Sequence, residues 1–374
     1  MAAFQKYILL FHILLFSLLP LKITSSARTE AEALVKWKNS LSSSSLNSWS
    51  LTNLTNLCNW NGIVCNTAGT ISEINLSDAN LNGTLTQFSF PSFANLTRLD
   101  LSNNLFDGNI PWEIGLLTEL KYLSFYNNNL NGAIPYQIGN LQKVWFLDLG
   151  SNYLETPDWS KFSGMPFLTH LSFNFNELTL DFPDFIPNCR NLTYLDMSLN
   201  HLTGPIPESV FTNLGKLEYL NLTDNSFQGP LSSNISKLSK LKDLRLGKNN
   251  LTGSIPEVIG FIYDLQLIDL YNNSFEGKIP SELGLCTNLT YLALALNSLT
   301  GALPLSLSNL TKISELGLSD NSLSVRVALA CTHGTPESRP TMRFVAQELS
   351  ARTQAYLAEP LGMITINKLT GLQK

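Results

Sequence analysis

The sequence predicts an α/β-type solenoid, a right-handed curved superhelix with a concave parallel β-sheet, and three observations carry that prediction. An asparagine returns every 24 or 25 residues, at Asn104, Asn128, Asn152, Asn176, Asn200, Asn225, Asn249, Asn273, Asn297 and Asn321. Each sits in the same phrase, Leu-x-x-Leu-x-Leu-x-x-Asn-x-Leu, as in Leu241, Leu244, Leu246, Asn249 and Leu251. Most units then continue Gly-x-Ile-Pro. A unit this short leaves an apolar face that only its neighbours cover, so ten of them stack rather than collapse into a ball. The period overrides the two or three domains that 374 residues would otherwise suggest.

The first segment, 1–27, reads as a secretory signal peptide. Lys6 supplies the positive start, Tyr7 to Leu19 is an almost unbroken apolar run, Pro20 breaks it, and Ser25, Ser26 and Ala27 follow. The run is short for a membrane span. Residues 28–70 read as an N-terminal cap. Ala33, Leu34, Trp37 and Leu41 recur at helical spacing over Thr29 to about Leu41, and Ser42 to Ser45 breaks that pattern. Cys58 and Cys65 then bracket Trp60, and a disulfide there closes the exposed end of the stack. Cys189 and Cys286 lie about four units apart, too far to pair, and read as buried small apolar residues.

Residues 71–323 form the array. Ile71, Ile74, Leu76 and Leu81 give a first, cap-like turn with Ala79 in the asparagine slot. In each later unit the Leu-x-x-Leu-x-Leu core reads as a short strand whose outer positions face water. The asparagine amide, with two donors and an acceptor oxygen, satisfies backbone groups freed at the bend. Gly108, Gly132, Gly253 and Gly277 open the Gly-x-Ile-Pro stretches; Thr156 and Leu180 stand in that slot in units three and four, and Ser232 replaces the proline of unit six. A distortion is expected over Glu155 to Pro166. The period ends after Leu323, leaving 324–374 as a separate tail.

Charged residues are only 14% of the chain and the net charge is −5, so no basic stripe points to nucleic acid. The histidines His12, His170, His201 and His333 are scattered, without zinc spacing or a nucleophile nearby. No catalytic, metal or cofactor site is expected. No apolar run of about twenty residues follows the signal, so no transmembrane span is expected in this form. Asn-x-Ser/Thr sequons at Asn53, Asn75, Asn82, Asn95, Asn191, Asn221, Asn234, Asn250, Asn272, Asn288 and Asn309 point to a glycosylated secretory-pathway protein, extracellular or at the cell surface.

Function is expected on the concave strand face. Its outer positions include Tyr122, Tyr126, Trp145, Phe146, His170, Asn174, Phe175, Tyr194, Asp196, Tyr219, Arg245, Asp269 and Tyr271. Aromatic residues and arginine are favoured interface anchors, and this set suits a short extended peptide.

The period, the Gly-x-Ile-Pro form and the Cys-x-Trp-x-Gly-Ile-Val-Cys cap together resemble the leucine-rich-repeat ectodomains of plant receptor-like kinases. The tail adds to this. Ala328 to Thr332, Pro336 to Met342, Val345 and Leu349 look like the last kinase subdomain. Gln347 to Tyr356, and Ile364 to Lys374, are similar to the male-discoverer-interacting receptor-like kinases. The resemblance implies a leucine-rich-repeat fold, a secreted peptide ligand and a co-receptor ectodomain of the same repeat type. It also implies that the kinase core is missing near Ser324, through a splice form, a degraded gene or a faulty gene prediction, so that this form would be released. The glycine-rich loop, His-Arg-Asp and Asp-Phe-Gly of phosphoryl transfer do not occur, and Asp181-Phe182-Pro183 is no substitute. Arg339 has lost the glutamate it pairs with in that family, and a helix over Pro340 to Arg352 would be poorly packed. Plant polygalacturonase inhibitors are an alternative resemblance, with about ten repeats and no kinase, though they close their C-terminal end with a cysteine-containing cap. Transcript sequencing across Ser324 and Val325 would distinguish an incomplete active kinase from a truncated receptor.

Overall fold

The computed structural model describes residues 25–42, 45–324 and 364–365. The apolar run of the expected signal, Cys331, Arg339 and the helix expected over 340–352 lie outside them. Helix α1 spans Ser25–Ser40, so its first turn starts inside the segment expected to be cleaved, and Ala27 is buried. One face of α1 buries Ala31, Leu34 and Trp37. Trp37 sits 6.3 Å from Trp49, which in turn lies 6.1 Å from Trp60, while the Trp37 indole N–H donates to the Thr84 carbonyl at 3.0 Å. Cys58 and Cys65 are disulfide-bonded over a separation of seven residues. The expected cap is therefore an aromatic plug pinned by one cross-link. Glu30 is buried in it, with Oε2 accepting the Ile71 N–H at 3.0 Å and Oε1 unpartnered.

A sheet of 13 strands runs the length of the array. From Ile71–Asn75 to Glu315–Gly317 its strands are parallel and share one register, Tyr122 opposite Phe146 and Phe146 opposite His170. Antiparallel strands close both ends, Ile63–Cys65 against Ile71–Asn75 and Ile364–Thr365 against Glu315–Gly317. The leucines of each phrase point inward, as the alternation requires, and are buried except in the last coil, where Leu316, Leu318 and Leu323 are partly buried. On the opposite side the chain returns mostly through 3-10 helices such as Trp112–Leu116 and Glu257–Phe261. The unit that is 25 residues long absorbs its extra residue in a true α-helix there, α2, Glu208–Asn213.

The ten asparagines do what their chemistry predicts. Asn152 accepts the Leu130 N–H at 3.0 Å and donates to the carbonyls of Phe125, Leu149 and Gly150 at 3.0–3.1 Å. Leu130 and Phe125 belong to the preceding coil, so each amide fastens two coils together. The expected distortion is also present. The second, lateral ladder of short strands is split into sheets of four, two and five strands. The splits fall between Tyr153–Glu155 and Thr179–Leu180, and between His201–Leu202 and Gln228–Pro230. Leu180 takes a left-handed φ of 68° where other units place glycine, and Trp159, Phe162, Phe173 and Phe185 cluster in the core of the same region of the chain. Cys189 and Cys286 are free and buried.

Candidate functional site

Parallel in-register strands about 4.8 Å apart place equivalent side chains in columns across the sheet. The first column holds the rings of Tyr122, Phe146, His170, Tyr194 and Tyr219 in an unbroken stack. Neighbouring centroids are 4.3, 4.2, 4.1 and 4.3 Å apart, and the planes lie within 10° of parallel. Rings stacked this closely turn their edges outward, so the ridge shows C–H edges and the hydroxyls of Tyr122, Tyr194 and Tyr219. An arginine stands at either end. Arg98 lies 3.6 Å from the centre of the Tyr122 ring, and Arg245 lies 5.6 Å from that of Tyr219. Exposed Trp145 abuts Tyr122 and Phe146 edge-on at 6.0 and 5.8 Å.

The second column is polar: Asp100, Ser124, Asp148, Ser172, Asp196, Asn221, Arg245 and Asp269 follow one another. Burial raises the Asp148 carboxyl to about 6, against the lowering pull of the Gly150 N–H and the Ser172 hydroxyl. Burial between its neighbours lowers His170 to about 4, so this imidazole is neutral near pH 7. Burial likewise pushes the phenols of Tyr122, Tyr194 and Tyr219 up, and all three remain protonated donors. Burial raises Asp269 as well. Arg245 chelates Asp243 through Nε and Nη2 at 2.8 and 2.9 Å.

Of the residues expected on this face, Tyr122, Phe146, His170, Tyr194, Tyr219, Arg245 and Asp269 fall in the two columns and Trp145 flanks them. Asp196 needs correction. It is only 7% exposed, its Oδ1 taking the Ser198 N–H and hydroxyl and its Oδ2 the Asn221 amide, so it supports the surface from below. Tyr126, Asn174 and Tyr271 lie just beyond the strand ends, in a third column. Phe175 is off the strands altogether. It occupies the corner after the strand with φ 52°, and with Tyr153, Leu199 and His201 it lines a separate cavity of about 220 Å³. Asn221 is a sequon residue turned inward: it is buried, and its Nδ2 donates to Asp196 and to the Tyr219 hydroxyl. Arg98 was missed, although it holds the first strand position of the unit one period upstream of Tyr122.

Among the described residues no group of acidic, histidine or cysteine side chains is arranged to hold a metal ion, and no helix is long and apolar enough to cross a membrane. The leucine rich repeat N-terminal domain matches residues 27–66. Leucine rich repeat families match 166–227, and 95–117, 119–141, 240–262 and 264–286. A probable leucine-rich repeat receptor-like protein kinase of Arabidopsis thaliana is 40% identical over 119 residues, covering 30% of this chain and 11% of that protein. MDIS1-interacting receptor like kinase 2 of the same plant is 43% identical over 91 residues, covering 23% of this chain and 9% of that protein. The matched stretches thus span about a tenth of these relatives' own length. The crystal structure of PEPR1-AtPEP1 superimposes with a TM-score of 0.65 at 28% identity, covering 79% of this chain and 45% of the other. The plant peptide hormone receptor RGFR1 in complex with RGF2 gives a TM-score of 0.50 at 30% identity, covering 71% of this chain and 53% of the other. The chain is a leucine-rich-repeat solenoid with an N-terminal cap of its own, and its homologues are leucine-rich-repeat receptor-like kinases of Arabidopsis thaliana.

Proposed function

We propose that this solenoid is a non-catalytic ligand-binding ectodomain of the receptor-like kinase type, and that its concave face holds a secreted peptide with a co-receptor ectodomain as second partner. The reading places it in the secretory pathway, outside the cell or at its surface, with 1–27 removed as a signal peptide and sequons on the outer faces glycosylated. One observation carries it: five rings form a continuous ridge across five repeats, with an arginine at each end and exposed Trp145 alongside. Half-buried aromatic rows of fixed geometry lose little freedom on binding, which suits them as anchors. A solved neighbour is described as a plant peptide hormone receptor in complex with RGF2, which supports the class of partner. The likeness to MDIS1-interacting receptor like kinase 2, with the similar tail residues 364–374, supports a place in that receptor group.

The test is to incubate the purified chain with peptides from extracellular plant fluid, identify those retained, and map protection by hydrogen exchange. Slowed exchange confined to the strands from Tyr122–Ser124 to Tyr219–Asn221 is the expected result. Retention of no peptide, or protection only on the 3-10 helical side, refutes the proposal.

A further inference from the structure

We infer that the occupant of this sheet face is a cationic peptide segment, with a basic side chain seated over Asp148. The inference rests on the peptide-binding reading and adds the charge of the ligand. The two side-chain columns of the parallel strands contain seven carboxylates and only two guanidinium groups, Arg98 and Arg245. Both guanidinium groups are already engaged within their own strands, Arg98 with Asp100 at 2.8 Å and Arg245 with Asp243. Glu73, Asp148, Asp196, Asp269 and Glu315 make no ion pair among the described residues. His170, at the centre of the ridge, is held neutral and offsets nothing. The columns therefore carry an excess of negative charge as large as the net −5 of the whole chain.

Asp148 is the focus of that excess. Asp196, two strands on, is capped by neutral donors from Ser198 and Asn221 and is closed off from solvent. Asp148 is less completely buried than Asp196, lies next to Ser172 in the following strand and takes its backbone bond from the Gly150 N–H at 2.9 Å. A ligand lying on the ridge removes water from this carboxylate. An acidic segment would repel it and a neutral donor would leave its charge uncompensated, whereas a guanidinium or ammonium group forms a charge-assisted bond to it.

The experiment is a peptide-display selection against the chain, followed by affinity measurement of each enriched peptide. Peptides whose binding is lost in Phe146→Ala define the concave-face set. They are expected to carry net positive charge, to weaken about tenfold in Asp148→Asn and further in Asp148→Lys, and to lose affinity steeply as salt rises. The salt dependence on the unaltered chain keeps the inference testable should either variant misfold. A concave-face set that is neutral or acidic, or indifferent to both Asp148 and salt, overturns the inference and leaves the peptide-binding reading standing. A selection that yields no Phe146-dependent peptide overturns both.

Discussion

The imidazole of His170 lies 4.2 Å from the ring of Phe146 and 9° from parallel with it, while Tyr194 closes the other face at 4.1 Å. A base enclosed by two rings is disfavoured in its charged form. Titration of His170 followed by NMR should show a midpoint near 4, below the ordinary 6.5. Because the folded-state value is depressed for a base, its stabilising contribution is present above the unfolded value and is lost as pH falls from about 6.5 toward 4. His170→Phe should keep the stack and remove that acid sensitivity. A midpoint at the ordinary value would show the imidazole to be solvated.

Glu30 acts in the opposite sense. Its carboxyl is raised from 4.5 to about 7, burial outweighing the Ile71 N–H that favours the charged form. A raised carboxyl makes its full stabilising contribution below the unfolded value. That contribution declines as pH climbs from 4.5 through 7, by on the order of 3 kcal/mol at most. Thermal melts of the unaltered chain should therefore show the cap loosening toward neutral pH, compared with Glu30→Gln, which keeps the acceptor for Ile71 but cannot ionise. Parallel pH profiles for the two would refute the assignment.

Asn152 makes four bonds, all of them buried. Asn152→Ala should cost about 1–3 kcal/mol in urea unfolding. The same change at Asn321, in the last coil and partly exposed, should cost less. Equal costs would mean that the amides act independently of their depth in the stack.

Phe175 pairs a left-handed backbone with a side chain that is 56% exposed. Five of the nine equivalent corners use asparagine (103, 127 and 272) or aspartate (224 and 320), residues that tolerate this conformation. Phe175→Asn should thus stabilise the chain by about 1 kcal/mol. Any loss of ligand affinity in the same variant would show that the strain is retained for binding. A destabilised Phe175→Asn would show instead that the ring packs usefully in its cavity.

Sequon occupancy gives a fifth check. Asn82, Asn250 and Asn272 are exposed, whereas the Asn221 amide is buried and already bonded to Asp196. Glycopeptide mass spectrometry should find glycan on the first three and none on Asn221. Glycan at Asn221 would require the sheet face to be rebuilt around it.

Much of this was legible in the residues because the period is strict. Once Asn128 and Asn152 are aligned, the facing pair Tyr122 and Phe146 follows by counting, as does the disulfide cap from Cys58, Trp60 and Cys65. Two things were not. Periodicity tells which residues lie on the outer positions but not how deep they sit, so Asp196 was expected at the surface although Ser198 and Asn221 enclose it. Nor does it reveal backbone sign. The residue before each ladder asparagine is left-handed in all ten units, yet Phe175, Leu199 and Leu296 carry no hint of that in their side chains.

Each ladder amide reaches back into the coil before it, which fixes how this chain is able to grow. Duplication or loss of one whole 24-residue turn re-creates every such bond with a new neighbour. An insertion of half a turn leaves an amide facing leucines instead of carbonyls. The one departure in repeat length, the 25-residue turn, hides its surplus in α2 on the far side. Evolution of length here is therefore quantised: the binding surface lengthens or shortens by one strand at a time, about 4.8 Å per step, and never by less.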